Sequence, residues 1–562
     1  MVLGLFDEDT TRHGDWPIHA KDVTNIDFDA VAQLSGVEGS TTAATWEAKR
    51  GWLEDDGRYA EHGVPIRTSI GTPTANYRAH WIERLLETGV IEQIRGKHVR
   101  GHTRIYGRPE PAKERVRALM HTVDINDACG ADTIDHPRFP TKLTIAEAVH
   151  DGEWMVALDF AAFYYQFKLA PEVGSRMCFR WNRRFFRLCK LAMGQRQSVD
   201  VANAVMQRVL DFEHESSNVM SIIVNALFIG TREAVINDAW TFVQRCRAIN
   251  ATLNEVDVAT ATRDDIEKLA RQEGDRGGVH IDLREKTVQL TAKIVAKINT
   301  SWANRARWRW RHYAAHVGLL FWAWGIVDLP MADFFRVLRY NSEVGREATR
   351  RDAEVRKELD LPAEAALSNP FWNEPAIVWG SVWPDLERWT QLATANAPRR
   401  VLQRQEPDVL LECDASLWGW SCCGVRMATN ETFAFSEPWS SNMKRRFGAK
   451  LGQLTLAEPY GVLFSLVRTR EKFPDATQFA VTSDNSVAVV THQRGFSSRS
   501  YDINECFRLR DELLPRGEVA IDIKHVAGVS NIADDGFRGR AVGKVDGEIL
   551  RSRWGLDGAQ RP

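Results

Sequence analysis

The sequence lacks any long apolar run: no stretch reaches the roughly 18 residues that a membrane span needs. Its first residues, MVLGLFDEDTTRHGDWP, lack the basic-then-apolar order of a secretion signal and the arginine enrichment of a mitochondrial presequence. Eight cysteines occur without metal-binding spacing, since only Cys422 and Cys423 are adjacent. We therefore expect no membrane partner and an intracellular protein, cytoplasmic or nuclear, whose thiols are buried in a reducing compartment.

Net charge is also nearly absent. The 562 residues include 73 lysines and arginines against 75 aspartates and glutamates, which gives a formal charge of -2. A nucleic-acid partner would have to be bound by local basic stripes and not by a global positive field. Apolar residues make up 44% of the chain and charged residues 26%, as in globular proteins. There is no internal repeat, and the length predicts about three to five structural units.

An acidic residue closes an apolar strand in the first half of the chain. The segment LDFAAFYYQF places Asp159 after that strand and Tyr164 five residues later. Taken alone, Asp159 fits a turn residue or helix cap, and Tyr164 fits a core aromatic. The loop LAMGQRQS (191–198) combines glycine with a predicted helix start, where Ser198 suits the N-cap. Because backbone N–H groups at a helix start attract phosphate, this loop suits a template or an incoming nucleotide.

Six motifs follow one another between about residues 76 and 340. They are HTVDINDA, ALDFAAFYYQFKLAP, FRLCKLAMGQRQSV, IIVNALFIG, RAINATLNEVD and GVHIDLREKTVQLTAKI. In this order and spacing the chain resembles reverse transcriptases, and most closely those of tyrosine-recombinase retrotransposons (the DIRS-like and VIPER-like elements). Each motif alone is weak, but six in the family's order make chance improbable. The resemblance implies a right-hand fold of fingers, palm and thumb.

The resemblance also implies roles for individual residues. Asp159 corresponds to the first metal ligand, and Tyr164 to an aromatic gate against the ribose 2′-hydroxyl. The implied nucleic-acid contacts are Gln195 and Ser198 in the loop near nucleotide and template, Gly277 and Gly278 in the primer-contacting hairpin, and Arg115 and Arg117 in the fingers strand that faces triphosphate. From the residues alone, the two arginines fit a solvated strand face equally well.

The chain departs from the family at the paired aspartates of the metal-binding hairpin. The segment SIIVNALFIG (221–230) predicts a strand–turn–strand with Val224, Asn225 and Ala226 at its tip. One alignment puts Asn225 and Ala226 on the acidic positions, and a shift by one residue puts Val224 and Asn225 there. Both alignments remove both charges, and Mg²⁺ requires charged oxygen ligands. We therefore expect an inactive polymerase site, whether the loss is natural or deliberate.

The C-terminal third offers four acidic residues in apolar surroundings. They are Asp414 in ECDASLWGW, Glu458 in LTLAEPYGVL, Asp484 in VTSDNSVAVV and Asp534 in HVAGVSNIADDGFRGR. Their separations of 44, 26 and 50 residues are too long for local ion pairs, but fit convergence at one edge of a folded sheet. Clustered carboxylates repel one another without cations, so this set predicts a pair of Mg²⁺ or Mn²⁺ ions. The alternative is that each acid is a cap or a surface carboxylate.

These motifs, over about 408–543, closely resemble retroelement ribonuclease H. The resemblance implies that all four acids are catalytic metal ligands. It further implies that His525, nine residues before Asp534, assists metal or product turnover. Asp535 is a rival for the last ligand, although the family pattern favours Asp534.

Basic residues alternate with tryptophan in RARWRWRHY (305–313). Arg307 and Arg309 can pair with phosphates while the rings stack on bases. Equally, the tryptophans can form a buried helix face whose arginines are solvated. A second basic run, KRRF (444–447), lies just before the predicted Glu458 helix and can guide a nucleic-acid backbone.

The sequence thus predicts a multidomain α+β and α/β protein, a right-hand polymerase fold followed by a connection and an RNase H-like domain. The predicted segments are an N-terminal extension (1–70), reverse transcriptase-like fingers and palm (71–270), a thumb-like region (271–345), a connection (346–405), an RNase H-like domain (406–545) and a C-terminal tail (546–562). We predict a retroelement-derived protein that binds RNA or RNA–DNA hybrid, with an inactive polymerase site and an intact ribonuclease H site. The alternative is a catalytically inactive, domesticated reverse transcriptase that acts as an RNA- or protein-binding scaffold in a ribonucleoprotein.

Overall fold

The chain folds into a mixed α+β protein with several sheets. The computed structural model describes residues 15–61, 77–110, 113–121, 125–126, 142–191, 193–358, 369–401, 406–533 and 547–556. None of the described helices combines the length and the apolarity that a bilayer crossing requires. The chain divides into two compact units. Unit 1 contains Met1–Thr291, Arg307–Ala315 and Ala348–Pro375, and unit 2 contains Ala292–Ala306, His316–Glu347 and Ala376–Pro562.

The described strands are short in unit 1 and longer in unit 2. They are β1 (Ile18–His19), β2 (Ile91–Ile94), β3 (Arg104–Glu110), β4 (Arg115–His121), β5 (Trp154–Asp159), β6 (Cys178–Trp181), β7 (Arg184–Leu188), β8 (Asn218–Ile222), β9 (Asn225–Gly230), β10 (Glu273–Arg276), β11 (Val279–Asp282), β12 (Thr287–Leu290), β13 (Arg399–Arg400), β14 (Val409–Ala415), β15 (Gly419–Arg426), β16 (Glu431–Pro438), β17 (Gln478–Ser483) and β18 (Ala520–His525).

The described helices range from single turns to about seven turns. They are α1 (Phe28–Gln33), α2 (Thr42–Glu54), α3 (Gly57–Glu61), α4 (Ala79–Glu87), α5 (Lys142–Asp151), α6 (Pro171–Gly174), α7 (Arg196–Val209), α8 (Arg232–Ala248), α9 (Arg263–Glu267), α10 (Ala292–Ala303), α11 (Trp310–Val327), α12 (Phe335–Glu358), α13 (Trp383–Ala395), α14 (Ser441–Phe447), α15 (Leu454–Lys472), α16 (Ser486–Arg494), α17 (Tyr501–Leu513) and α18 (Gly547–Arg553). Short 3₁₀ turns include Phe163–Gln166 and Arg305–Arg307.

Unit 1 is built on small sheets with the strand orders β1-β4-β3, β2-β7-β6 and β5-β9-β8, and on the antiparallel run β10, β11, β12. In the β5-β9-β8 sheet, β9 is the central strand and pairs antiparallel with both neighbours. β9 is buried beyond its first residue and is rich in large apolar residues, which fits a central strand. This arrangement brings the end of β5 opposite the start of β9.

The N-terminal segment 15–61 belongs to the core of unit 1. Trp46, Leu53 and Tyr59 are fully buried in the same apolar cluster as Val201 and Val205 of α7. The Trp46 indole donates a hydrogen bond to the Phe28 carbonyl at 3.2 Å. The segment therefore contributes large side chains to a shared core, in keeping with its having little core of its own.

The predicted N-cap of α7 was wrong. The helix begins at Arg196 with Gln195 as its N-cap, and Ser198 lies inside the first turn, where it is buried. Gln195 is held in place from another part of the chain, because its Nε2 donates to the Tyr59 hydroxyl at 2.7 Å. The N-cap thus lies three residues ahead of the position that local preference indicates.

Unit 2 is organised around a five-stranded mixed sheet of order β16-β15-β14-β17-β18. The central strand β14 pairs antiparallel with β15 and parallel with β17, and β17 pairs parallel with β18. Every residue of β14 is buried. Leu411 and Cys413 face the main core with α15, whereas Leu410 packs with Leu550 of α18 on the other face. Since side chains alternate along a strand, Glu412 and Asp414 share the face of Leu410.

Candidate functional site

Three predicted acids meet at one edge of the unit 2 sheet. Asp414 is the penultimate residue of β14, and Asp484 directly follows β17. These two strands are parallel neighbours with Cys413 opposite Ser483, so their carboxyl ends lie side by side. Glu458 joins them from α15, and ligand oxygens of the three carboxylates lie within 4.8 Å of one another. In the described part of the chain, no other group of three or more His, Cys, Asp or Glu residues comes as close.

Helix α15 approaches β14 closely enough to place Glu458 beside Asp414. At Gly461, a methyl group would lie 2.9 Å from the Ala415 Cβ and 3.4 Å from the Asp414 carbonyl oxygen. A side chain there would push the helix away from the strand, so glycine permits the close packing. The segment LAEPYG thereby fixes the distance between the acid on the helix and the acid on the strand.

The electrostatics of this cluster favour a bound cation. Glu458 is only 3% exposed, and its pKa is raised to about 9, first by burial and then by the charges of Asp414 and Asp484. Its Oε2 atom is buried without a hydrogen-bond partner in the described structure. A buried carboxylate oxygen of this kind usually has a donor or an ion beside it. The three residues therefore fit a hard divalent ion, which would offset both the desolvation and the repulsion.

His525 and Gly528 line the same edge. His525 ends β18 opposite Ser483, and its Nε2 donates to the Asp484 carbonyl at 2.9 Å. This hydrogen bond requires the proton on Nε2 and leaves Nδ1 as the acceptor of an exposed ring. A methyl group on Gly528 would lie 2.9 Å from the Asp484 Oδ2. The chain after β18 thus passes in contact with the third acid.

Asp534 and its rival Asp535 lie outside the described residues. The residue before them, Ala533, is buried, and its carbonyl accepts a hydrogen bond from Ser421 Oγ at 2.8 Å. Ser421 lies directly opposite Asp414 in the β14–β15 ladder. The described chain therefore leads to within one residue of Asp534 at a point next to the Asp414 strand end.

A further buried acid of the unit 2 sheet, Glu412, was missed by the sequence reasoning. It is fully buried on β14, and its Oε1 accepts from the Ile532 N–H at 2.6 Å. Its Oε2 pairs with Arg553 Nη1 of α18 and accepts from Thr482 Oγ1 at 3.3 Å. Glu412 thus ties the 530–533 segment and α18 to the central strand. The available signal was an acid inside the apolar run VLLECDA.

In unit 1, Asp159 lies opposite Asn225. Asp159 ends β5, Asn225 begins β9, and the two are directly paired in the antiparallel ladder. The hairpin turn is made by Ile223 and Val224, with Ile223 at φ 52°, so the predicted tip was displaced toward the C-terminus. Ala226 is fully buried and pairs with Leu158. Because neighbouring residues of a strand face opposite sides, Ala226 points away from Asp159.

The surroundings of Asp159 do not assemble an acid cluster in the described residues. Asn254 Nδ2 donates to Asp159 Oδ2 at 3.0 Å, and Glu255 Oε2 accepts from the Asp159 backbone N–H at 2.9 Å. Burial, followed by the charge of Glu255, raises the pKa of Asp159 to about 6. Smaller opposing effects come from Asn254, Arg276 and Lys21. The Asp159 carboxylate thus has one acidic neighbour, Glu255, besides an amide and two cations.

Other predicted residues of unit 1 are already engaged within the protein. Arg115 Nε and Arg117 Nη2 both pair with Glu110, at 2.6 and 2.7 Å, and Arg115 also contacts His19 at 3.0 Å. Burial, and then these arginines, lowers the pKa of His19 to about 4. The two arginines therefore form a half-buried ion-pair network, which differs from the solvated strand face considered above.

The remaining predicted contacts differ in exposure. Tyr164 lies on the 3₁₀ turn after β5, packs against the core and has a pKa raised by burial. Gln195 and Ser198 are buried. Gly277 and Gly278 form the turn between β10 and β11, as the hairpin pattern predicts. These positions lie in one compact unit, but their roles toward a nucleic acid stay predictions.

In the RARWRWRHY segment, the tryptophan rings pack within the protein and two arginines are exposed. Trp308 is buried, and Trp310 stacks on Phe371 at a centroid distance of 5.3 Å. Arg307 and Arg309 are exposed. This arrangement fits the buried tryptophan face better than rings free to stack on bases.

No protein-family model matches the chain, and no curated protein matches it. The solved structures to which the chain is similar include foamy viral protease–reverse transcriptases. A dRH form in complex with double-stranded DNA is 14% identical over 82% of this chain and 74% of that chain, with a TM-score of 0.42. A further complex with double-stranded DNA is 12% identical over 90% of this chain and 99% of that chain, with a TM-score of 0.41. A complex with RNA/DNA hybrid is 13% identical over 82% of this chain and 56% of that chain, with a TM-score of 0.39. At these TM-scores the likeness is loose, and the function has to be argued from the residues of this chain.

Proposed function

We propose that the chain is a reverse transcriptase-like protein of the retroelement type whose unit 2 is a ribonuclease H. In this proposal, unit 2 cleaves the RNA strand of an RNA–DNA hybrid. The observation that carries it is the convergence of Asp414, Glu458 and Asp484 from two strands and a helix. The strand order with its antiparallel and parallel ladders, and the sequence motifs around each acid, support the same conclusion.

Mg²⁺ or Mn²⁺ is the cofactor that best fits the donor set. The site offers carboxylate oxygens and no thiolate, which is the ligand choice of hard divalent ions. Asp414, Glu458 and Asp484 would hold the ions, and we propose Asp534 as the fourth ligand. Two such ions supply charge on both sides of a phosphodiester and activate a water molecule.

The residues of the chain prepare the site for that chemistry. Burial and the charges of Asp414 and Asp484 raise the pKa of Glu458 to about 9, so it must release a proton to become a ligand near neutral pH. His525 presents Nδ1 as an acceptor at the exposed edge of the site, where we assign it a proton transfer that assists product release. Gly528 keeps the space beside the Asp484 carboxylate clear.

A labelled RNA–DNA hybrid incubated with the full chain and Mg²⁺ tests the proposal. We expect cleavage by the native chain and a loss of at least about 100-fold in Asp484→Asn, since one charged ligand is removed. Asp502→Asn is the matched control, because Asp502 is a carboxylate of the same unit that pairs with Lys450 at 3.1 Å. No cleavage by the native chain, or equal cleavage by Asp484→Asn, would contradict the proposal.

For unit 1 we propose binding of RNA or hybrid without DNA synthesis. Asn225 opposite Asp159 supports this, because a polymerase needs a second carboxylate at the turn to clamp two ions. The alternative for the whole chain is a scaffold that works with other proteins of a ribonucleoprotein. Such a scaffold would bind RNA equally well with and without Mg²⁺ and would show no turnover in the hybrid assay.

A further inference from the structure

Exposed apolar side chains border the acid triad of unit 2. Leu417, Trp418 and Leu454 are 44%, 72% and 53% exposed, and we call these three residues the apolar rim. Leu417 and Trp418 lie in the loop that joins β14 to β15, three and four residues after Asp414. Leu454 lies four residues before Glu458 in α15, so it occupies the same helix face one turn away. The rim therefore flanks two of the three acids.

The loop that carries Leu417 passes close to the turn before α15. A methyl group at Gly452, two residues before Leu454, would lie 3.5 Å from Leu417 Cδ1. The loop therefore lies near the start of α15. Singly scattered apolar residues on a protein surface are ordinary, but a contiguous group beside a polar site usually marks a binding surface.

The loop that carries Trp418 is held by a hydrogen bond across the loop and by two hydrogen bonds from Trp439. Ser416 N–H donates to the Gly419 carbonyl at 2.9 Å. Trp439 donates from its backbone to the Trp418 carbonyl at 3.1 Å and from its indole to the Ser416 carbonyl at 2.8 Å. Trp439 itself is buried. The Trp418 indole is therefore displayed on a fixed backbone, which lowers the entropy cost of using it in binding.

Cations stand next to this loop. Helix α14 starts at Ser441, two residues after Trp439, and Lys444 and Arg445 on it are exposed. Within the residues that the structure describes, neither has an ion-pair partner, whereas Arg446 pairs with Glu505 and Lys450 with Asp502. Lys444 and Arg445 thus add two positive charges without ion-pair partners in the described residues to the unit that carries the apolar rim.

We propose that the apolar rim, together with Lys444 and Arg445, binds a nucleic-acid strand that lies across the acid triad. Trp418 stacks on a base or sugar face, and the two cations bind phosphates along the strand. A protein docked on the rim would cover the triad, whereas a nucleic acid brings its phosphodiester to it. The hydrolytic part of this picture rests on the proposed ribonuclease function, but the binding part requires only an RNA–DNA hybrid as ligand.

Binding to a fluorescein-labelled RNA–DNA hybrid in EDTA separates the two parts, because no cleavage occurs without divalent ions. With the full chain, we expect Trp418→Ala to raise the Kd roughly 5- to 150-fold, the range for loss of one stacking aromatic. Trp418→Phe should restore most of the affinity. The double variant Lys444→Ala/Arg445→Ala should weaken binding and make it less sensitive to salt.

Trp379→Ala is the matched control, since Trp379 is another exposed tryptophan of unit 2, at 51%, and stacks near Tyr340. Its Kd should stay at the native value. An unchanged Kd in Trp418→Ala, or no hybrid binding by the native chain, overturns the proposal even if the native chain cleaves hybrid. Binding that depends on Trp418 in a native chain that does not cleave supports the surface and contradicts only the ribonuclease.

Discussion

Asp159 and Asn225 face each other across the β5–β9 ladder of unit 1. An amide opposite a carboxylate supplies one neutral oxygen, where two-metal phosphoryl transfer needs a second negative charge. The turn beside them consists of Ile223 and Val224. The geometry thus selects Val224 and Asn225 as the positions at which acids would approach Asp159.

Restoring acids at these two positions should create a cation site. In Val224→Asp/Asn225→Asp, we expect the melting temperature to rise with the logarithm of the Mn²⁺ or Mg²⁺ concentration above the Kd, because binding to the folded state stabilises it. The native chain, which carries Val224 and Asn225, should show no such effect from this site. Primer extension on a template measures whether the variant synthesises DNA; a variant that binds no additional ion would contradict the assignment.

The alignment that puts the acids at residues 225 and 226 predicts a destabilised protein. Asn225→Asp/Ala226→Asp buries a carboxylate on the core face of β9, where Ala226 is fully buried. An unpaired buried charge destabilises a protein by several kcal/mol, roughly 3–5 kcal/mol by analogy with broken buried ion pairs. Denaturant unfolding of the two double variants, compared side by side, checks this. Equal stability would mean that residue 226 faces solvent.

Glu458 gives the stability of unit 2 a pH dependence that divalent ions should remove. Its pKa rises from 4.5 to about 9 on folding, so the folded state holds this proton more tightly than the unfolded chain. This contribution to stability is therefore fully present below about pH 4.5 and is lost as the pH rises toward 9. Above neutral pH, we expect Mg²⁺ to stabilise the native chain more than it does at pH 6.

Thermal melts at several pH values, in EDTA and in Mg²⁺ without EDTA, measure this effect. Glu458→Gln should flatten the decline in melting temperature between pH 5 and 9 and abolish the added effect of Mg²⁺. Asp502→Asn, at a half-buried surface carboxylate of unit 2, should keep the native pH profile. A Glu458→Gln profile that parallels the native one would contradict the strongly raised pKa.

The Glu412–Arg553 pair should be essential for the order of the triad edge. Arg553→Met leaves a fully buried carboxylate without its cation, at a cost of about 3–5 kcal/mol. Arg551→Met is the matched control, because Arg551 lies on the same helix and bonds the exposed Asn430. Denaturation midpoints should fall sharply only in Arg553→Met. The double variant Glu412→Leu/Arg553→Met should recover part of the loss, since the unpaired charge is gone.

Gly528→Ala should impair the acid cluster with little effect on folding. Its methyl group would lie 2.9 Å from the Asp484 Oδ2, so the carboxylate has to move away from the other two acids. We expect half-maximal cleavage of the hybrid to require a roughly tenfold higher Mg²⁺ concentration. The melting temperature should stay close to the native one. Gly380→Ala, whose methyl group would meet nothing within 4 Å, serves as the control. An unchanged Mg²⁺ dependence in Gly528→Ala would show that the loop around residue 528 moves and the Asp484 carboxylate keeps its position.

The acid triad could be predicted from sequence because each member carries a local signal. Asp414 and Asp484 follow apolar strands, and parallel neighbouring strands end at a common edge. Glu458 stands within an apolar helix. The absence of acids at Val224 and Asn225 was equally visible in the sequence. The position of the turn was not, because both alignments keep the same apolar flanks.

Long-range polar contacts escaped prediction for a physical reason. Glu412 and Arg553 are far apart in the sequence, and nothing local distinguishes a buried ion-paired glutamate from a surface one. The partner of Arg115 and Arg117 is Glu110 on the neighbouring strand, which depends on the register of β3 and β4. The start of α7 depends on Tyr59, whose hydroxyl holds Gln195. Such contacts exist only once the tertiary fold has formed.

The alternation of the chain between the two units has a practical consequence for fragment design. The backbone changes unit five times between Thr291 and Ala376. A fragment that begins at residue 406 would discard Trp324 and Phe335, which pack edge-to-face against Phe496 and Tyr501, all of them within unit 2. No single cut in the chain can therefore separate unit 1 from unit 2.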